Sequence, residues 1–192
     1  IAESEELASD LRKQEYNMIM LPSQLENGQY IDIRLRLPDG TDYIVASHKR
    51  VTIPEIGGVA SLNTISIDVS ETEILSLSCA IVECYKIEGS ILYANQYVEP
   101  GLQTAATSTY IPNDETVTLI RRDPNCVTTA ANAIIERYND SSIRNSVRNP
   151  ITSGLNENAD QATENAVNSS EEELQRAQEE RQKYLESLGG VY

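Results

Sequence analysis

The chain has 192 residues, 40% apolar and 23% charged, with nine Gly and seven Pro, a length and composition suited to one generous globular domain or two small ones. That composition excludes collagen, a coiled coil throughout and wholesale disorder, and no apolar run approaches the roughly 20 residues of a membrane-spanning helix. Thirty acids against fifteen Lys and Arg leave a formal charge of −15, the wrong sign for following a phosphate backbone, which argues against nucleic acid as a partner.

Composition also weakens metal and cofactor chemistry. There is a single His, His48, and the three Cys, at 79, 84 and 126, lack the paired spacing of a zinc cage and read as small apolar packers. No cofactor and no metal are expected. With ten Tyr but no Trp or Phe, the core must be built from Ile, Leu, Val and Tyr, and a Trp-based sugar platform is excluded.

In chain order, the charged stretch from Glu3 to Tyr16 suits a lead-in helix, with Ser4 as cap and Leu7 and Leu11 one turn apart. The apolar run NMIMLP stops at Pro22, and Asn27-Gly28 marks a turn. In YIDIRLRL, Ile31, Ile33, Leu35 and Leu37 alternate with Asp32, Arg34 and Arg36, the period of a strand buried on one face. Pro38-Asp39-Gly40 then predicts a three-residue hairpin loop with Gly40 left-handed. That loop sets Arg36 opposite Asp42, Leu35 opposite Tyr43 and Ile33 opposite Val45, with an Arg36–Asp42 pair on the wet face.

After Gly57-Gly58 a second alternating segment places Ile65, Ile67 and Val69 on one face. Ser70 and Glu73 form a capping box, and Ile74, Leu77, Ile81 and Tyr85 recur down one helical stripe. SILYANQYV resumes extended structure as far as Glu99-Pro100-Gly101, completing a strand–helix–strand unit. LQTAATSTYIP reads as an extended crossing segment. Asn113 or Asp114 caps a short helix through Ile120, and Asp123-Pro124 starts another whose face is Val127, Ala130, Ala131, Ile134, Ile135 and Tyr138. Residues 139–169, rich in Asn, Ser and Thr, read as a flexible linker, and residues 170–192 as an acidic amphipathic helix opened by the capping box Ser170–Glu173. The division is thus 1–16 lead-in, 17–138 core with following helices, 139–169 linker and 170–192 terminal helix.

Arg34, Arg36, His48, Lys49 and Arg50 crowd basic charge onto or beside one hairpin of an acidic protein. Two readings compete: a solvated sheet face whose edge charges block aggregation, and a docking site for an acidic partner. A Ser–His–Asp arrangement would need His48 buried beside a nucleophile, whereas SHKR has the character of an exposed strand end. Glu71 and Glu73 belong to a helix first turn, which accounts for them electrostatically. The tyrosines, among them Tyr30, Tyr43, Tyr85, Tyr93, Tyr97 and Tyr110, read as core and rim; a polysaccharide-contacting surface is the sharper alternative.

The stretches EYNMIMLPSQLENGQYIDIRLRLPDGTDYIVASHKRV and TISIDVSETEILSLSCAIVECYKIEGSILYANQYVEPGLQ resemble the Flp (tight-adherence) pilus assembly protein CpaB/RcpC family, in its SAF-domain, Gram-positive form. The likeness covers Glu15 to Gln103 and continues more weakly to Tyr138. Its most specific part is GQYIDIRLRLPDG, which carries the family's glycine and hydrophobic-Asp-hydrophobic strand as Gly28, Ile31, Asp32 and Ile33. The resemblance implies an α+β protein: a mainly β SAF/β-clip-like core, a strand–helix–strand unit and C-terminal helices. It brings no catalytic residues. It further implies a noncatalytic, extracytoplasmic assembly or scaffold protein of a Flp/type IV-like pilus or secretion system, with pilus or secretion-system proteins as partners. The family's membrane helix and first SAF strands are missing at the start, so the expected parent is anchored by a helix outside this chain. A cell-wall glycan-binding module, taking cell-wall polysaccharide as its partner, is the first alternative and an enzyme of unknown type the second.

Overall fold

A computed structural model describes residues 11–61 and 63–155, together with Arg176 and Glu179. The alternating segment forms β2 (Tyr30–Arg36), and the loop after it returns as the long β3 (Asp42–Thr52). Between them Leu37 donates its N–H to Thr41 O at 2.8 Å and Gly40 its N–H to Leu37 O at 3.0 Å. Gly40 has φ 88°, the left-handed geometry that the three-residue loop requires. Arg36 opposes Asp42 and Leu35 opposes Tyr43, as the loop predicts. Ile33 then faces Ala46 and not Val45, because β3 carries two β-bulges, one before Ala46 and one across Ser47 and His48. Each extra residue slips the register; beyond the second bulge Val51 still donates to Gln29 O and accepts from Gly28 N, both at 2.8 Å, on the side of β2, while Val51 and Thr52 pair along the other edge with β6 (Ile65–Val69).

The five-stranded sheet has the order β1-β6-β3-β2-β7, every pair antiparallel, with β7 formed by Ile91–Gln96 and β1 by Arg12–Tyr16. A small hairpin of β4 (Glu55–Ile56) and β5 (Val59–Ala60) stands beside it. Gly57 and Gly58 both have positive φ, the requirement of a two-residue turn twisted to match its strands. β1 corrects the lead-in helix: Arg12 to Tyr16 pair residue by residue with Val69 to Ile65, and Tyr16 is buried. An available sheet edge outweighs the modest helical preference of RKQEY. The rest of that expected helix, residues 1–10, lies outside the described residues.

Ser70 caps α1 (Glu71–Lys86) through the predicted box with Glu73. Leu77 and Ala80 are fully buried against the sheet, with Ile74 and Ile81 partly buried beside them. The same helix also buries Thr72, Ser76, Cys79 and Glu83. A simple amphipathic stripe does not predict that second face; it exists because α1 is a middle layer, covered outside by the helices that follow. Those are α2 (Asp114–Arg122), capped by Asn113, then α3 (Thr128–Asn139) and α4 (Ser141–Gly154). Val117, Ile120, Ala131 and Ile134 make a second small core between α2 and α3, onto which Leu75 of α1 packs. α3 begins at Thr128 and not at Pro124, since the Asp123 N–H closes α2 on Leu119 O and its carboxylate accepts from Asn125 N, turning the chain first.

α4 corrects the first part of the expected linker. Asp140 caps it by accepting from Ser142 N and Ile143 N, and Val147 and Ile151, four residues apart, bury one side. Pro150 sits inside it and has no N–H for Ser146 O. Tyr43 fills that gap from the sheet, its hydroxyl donating to Ser146 O at 3.4 Å and Val147 O at 3.2 Å. The remainder of the linker and nearly all of the expected 170–192 helix fall outside the described residues; Arg176 and Glu179 are helical. The fold is thus α+β, with a five-stranded antiparallel sheet and helices α1 to α4 among the described residues, and none of the described helices is long and apolar enough to cross a membrane.

Candidate functional site

Period-two alternation sends Asp32, Arg34 and Arg36 to the sheet face opposite α1, together with their cross-strand neighbours Ile44, Tyr93 and Ile91. Arg50, opposite Tyr30, shares that outer face and is exposed. Lys49 does not. It opposes the buried Ile31 and lies on the α1 side, where its Nζ meets Glu73 Oε1 at 2.5 Å and Oε2 at 2.6 Å. The basic residues that adjoin in sequence are therefore divided between two faces.

His48 is further separated by the second bulge. It is the one non-glycine residue with positive φ, 52°, among those described, a conformation that needs support from its surroundings. Asp32 gives that support: its Oδ1 accepts from the His48 N–H at 2.9 Å and from the Tyr97 hydroxyl at 2.8 Å. Tyr97 in turn accepts from Ala106 N at 3.0 Å, tying down the crossing segment. That segment straps the outer face from β7 over Asp32 to the free edge of β3. There Thr109 N and Tyr110 N donate to Ile44 O, and Ile44 N donates to Thr109 Oγ1. The strap covers an exposed strand edge and leaves Asp32 only 6% accessible. The His48 ring stacks on Tyr30 with centroids 4.6 Å apart and meets Tyr97 edge-on at 5.0 Å. Asp32 thus engages His48 through the main chain and not through the imidazole, so it does not orient that ring as a base.

Substituting Asp32 with Ala should leave the His48 amide and the Tyr97 hydroxyl without their acceptor and destabilise the fold by about 1–3 kcal/mol. Denaturant titration together with fast hydrogen exchange at the His48 amide checks this; unchanged exchange would separate Asp32 from the bulge.

Above the strap lies a second polar group. Arg34 Nε donates to Asp42 Oδ1 at 2.6 Å, the Tyr93 hydroxyl donates to Asp42 Oδ2 at 2.6 Å, and the Arg36 guanidinium carbon lies 4.9 Å from the centre of the Tyr93 ring. The predicted Arg36–Asp42 pair is replaced by the diagonal Arg34–Asp42 pair. Asp42 reaches the nearer-lying Nε of Arg34 while Tyr93, opposite Arg34 on β7, draws Arg36 over its ring. The sequence placed Asp42 on this face but against Arg36, and it did not bring Tyr93 to Asp42. Their proximity depends on β7 lying beside β2, a pairing between strands far apart in sequence.

Beneath the sheet, Glu83 is 4% exposed and bonded on both oxygens, to Arg148 Nη2 at 2.7 Å and the Tyr110 hydroxyl at 2.6 Å. Burial, then Glu83, pushes the Tyr110 hydroxyl well above the ordinary tyrosine range, and burial followed by Glu73 pushes Tyr16 up to about 12. Both favour the neutral ring in the folded state. Their stabilising effect is complete below the unfolded tyrosine value near 10 and is lost as pH rises from there toward about 12. Melting temperature should accordingly fall across that window while phenolate absorbance on unfolding rises, and a flat profile would contradict the burial of these rings.

The three cysteines are free thiols packed into or against the two cores, and burial raises all three. Among the described residues no three His, Cys, Asp or Glu side chains gather as a metal site would require. An open groove of about 540 Å³ runs beside the C-terminal half of α1, lined by Met18, Met20, Cys84, Tyr85 and Leu92 among others. Comparison with known protein families, with curated proteins and with solved structures finds no match to this chain.

Proposed function

We propose that the chain is a noncatalytic, extracytoplasmic assembly or scaffold element of a Flp/type IV-like pilus or secretion system, with a SAF/β-clip-like core and a parent protein anchored by a helix outside this chain. The observation that carries the reading is the task of Asp32. In the Gly28, Ile31, Asp32, Ile33 pattern on which the family resemblance rests, the one ionisable group holds a β-bulge and a strap together. A motif whose charged residue builds the scaffold suits a family without catalytic residues. The outer face above the strap, bearing Arg34, Arg36 and Tyr93, gives such a scaffold a surface for partner proteins.

The test is deletion of the parent gene, followed by complementation with the full-length protein and with an empty vector. Loss of surface appendages, restored only by the full-length protein, is the expected result. Normal appendages in the deletion strain would overturn the reading; retention of the purified chain on peptidoglycan in that case would favour the wall-binding module.

A further inference from the structure

We propose that Arg34 and Arg36, held by Asp42 and Tyr93, form a two-guanidinium fork that binds the carboxylates of an extended acidic segment of a partner protein. The inference rests on the partner surface proposed above and names its occupant, but it is carried by local geometry, so its binding test succeeds or fails independently of the pilus assay. Asp42 engages Arg34 only through Nε, and neither Nη of Arg34 has a protein acceptor among the described residues. Arg36 is exposed, with its guanidinium over the Tyr93 ring and no carboxylate partner among those residues. Both side chains are therefore fixed at their inner ends with donors free at their outer ends, the arrangement that arginine uses for planar, bidentate recognition. Fixing them beforehand removes rotamer entropy that binding would otherwise have to overcome.

Spacing points to the occupant. Residues two apart on a strand lie about 7 Å from each other on one face, and an extended peptide repeats its own alternate side chains at the same interval. Two acids separated by one residue would meet Arg34 and Arg36 in register. Half-buried Ile44 and Ile91, opposite Arg34 and Arg36 on the flanking strands, provide apolar walls that strengthen the charged contacts. Charge selects in the same direction. Asp42 at the surface and Asp32 beneath the strap already offset part of the positive potential, which suits singly charged carboxylates. An acidic partner meeting a protein of net charge −15 also needs a local basic site to approach at all.

Fluorescence anisotropy with a fluorescein-labelled peptide of alternating Glu and Thr, and with its Gln–Thr counterpart, tests this on the full chain at low ionic strength. The Glu–Thr peptide should bind and the Gln–Thr peptide should not. R34Q and R36Q should each weaken binding by about tenfold or more, and the charge-preserving R34K should still weaken it severalfold. D42N is the sharpest variant. It raises the local positive charge, so simple attraction predicts tighter binding, whereas loss of the clamp on Arg34 predicts weaker binding. Tighter binding by D42N, or R34K binding as well as the parent, would overturn the fork. If D42N melts too low to assay, Y93F replaces it: the ring stays under Arg36, the bond to Asp42 is lost, and binding should again weaken. Parental affinity in Y93F would overturn the proposal equally.

Discussion

Replacing Arg148 with Met should cost the fold about 3–5 kcal/mol, the loss that follows when one partner of a buried ion pair is removed. Glu83 would be left at 4% exposure with only the Tyr110 hydroxyl to satisfy it. Arg148 also donates from Nη1 to Ile111 O at 3.3 Å, so the strap's end would lose an anchor as well. The cost belongs to the stranded carboxylate more than to the pair itself. A double variant with Met at both 83 and 148 should therefore recover most of the loss, because apolar groups of similar size replace a buried pair at little net change. Urea titration of the two variants decides the matter: equal destabilisation would mean that Arg148 acts through packing alone. Proteolysis supplies a second reading, since α4 is held to the body by Arg148, Val147 and Ile151, and the single variant should be cut between Ser141 and Gly154.

The same helix shows where reading a sequence reaches its limit. Hairpin, capping box and strand–helix–strand order were legible because each is written within a few residues: Gly40 supplies a left-handed turn, and Ser70 finds Glu73 three positions on. α4 was not legible. It buries only Val147 and Ile151, and it contains a Pro whose disruption is repaired by Tyr43, more than a hundred residues earlier. Lys49 and Arg50 failed as a pair for a related reason. Neighbours on a strand face opposite ways, and the bulge at His48 decides which of them joins Arg34 and Arg36. Asp32 was visible as a motif residue, but its partners, a bent backbone and the hydroxyl of Tyr97, belong to the tertiary fold. The expectation of β1 as a helix failed because RKQEY has no apolar pattern of its own and takes the conformation that the edge of β6 offers.

Truncating Leu77 to Ala should lower stability by about 2–5 kcal/mol, the range for a buried leucine whose cavity closes only in part. Leu77 is fully buried at the middle of α1, where the helix crosses the sheet, and it belongs to the cluster of Ile31, Ile33, Leu35, Val51, Ile65 and Ile67. Those side chains stand on strands pinned by ladder hydrogen bonds, and α1 is held from outside by α2 and the Glu83–Arg148 pair, so neither layer can settle into the gap. The upper half of the range is therefore expected. Leu77→Met, which keeps the volume, should cost less than about 1.5 kcal/mol and separates packing from any change in helix propensity. In urea the Ala variant should shift the midpoint with an unchanged slope, because the surface exposed on unfolding hardly differs. A loss below about 1 kcal/mol would mean that α1 is not the main cover of the sheet. The outer face would then need a different inner support for the strands that present Arg34, Arg36 and Tyr93.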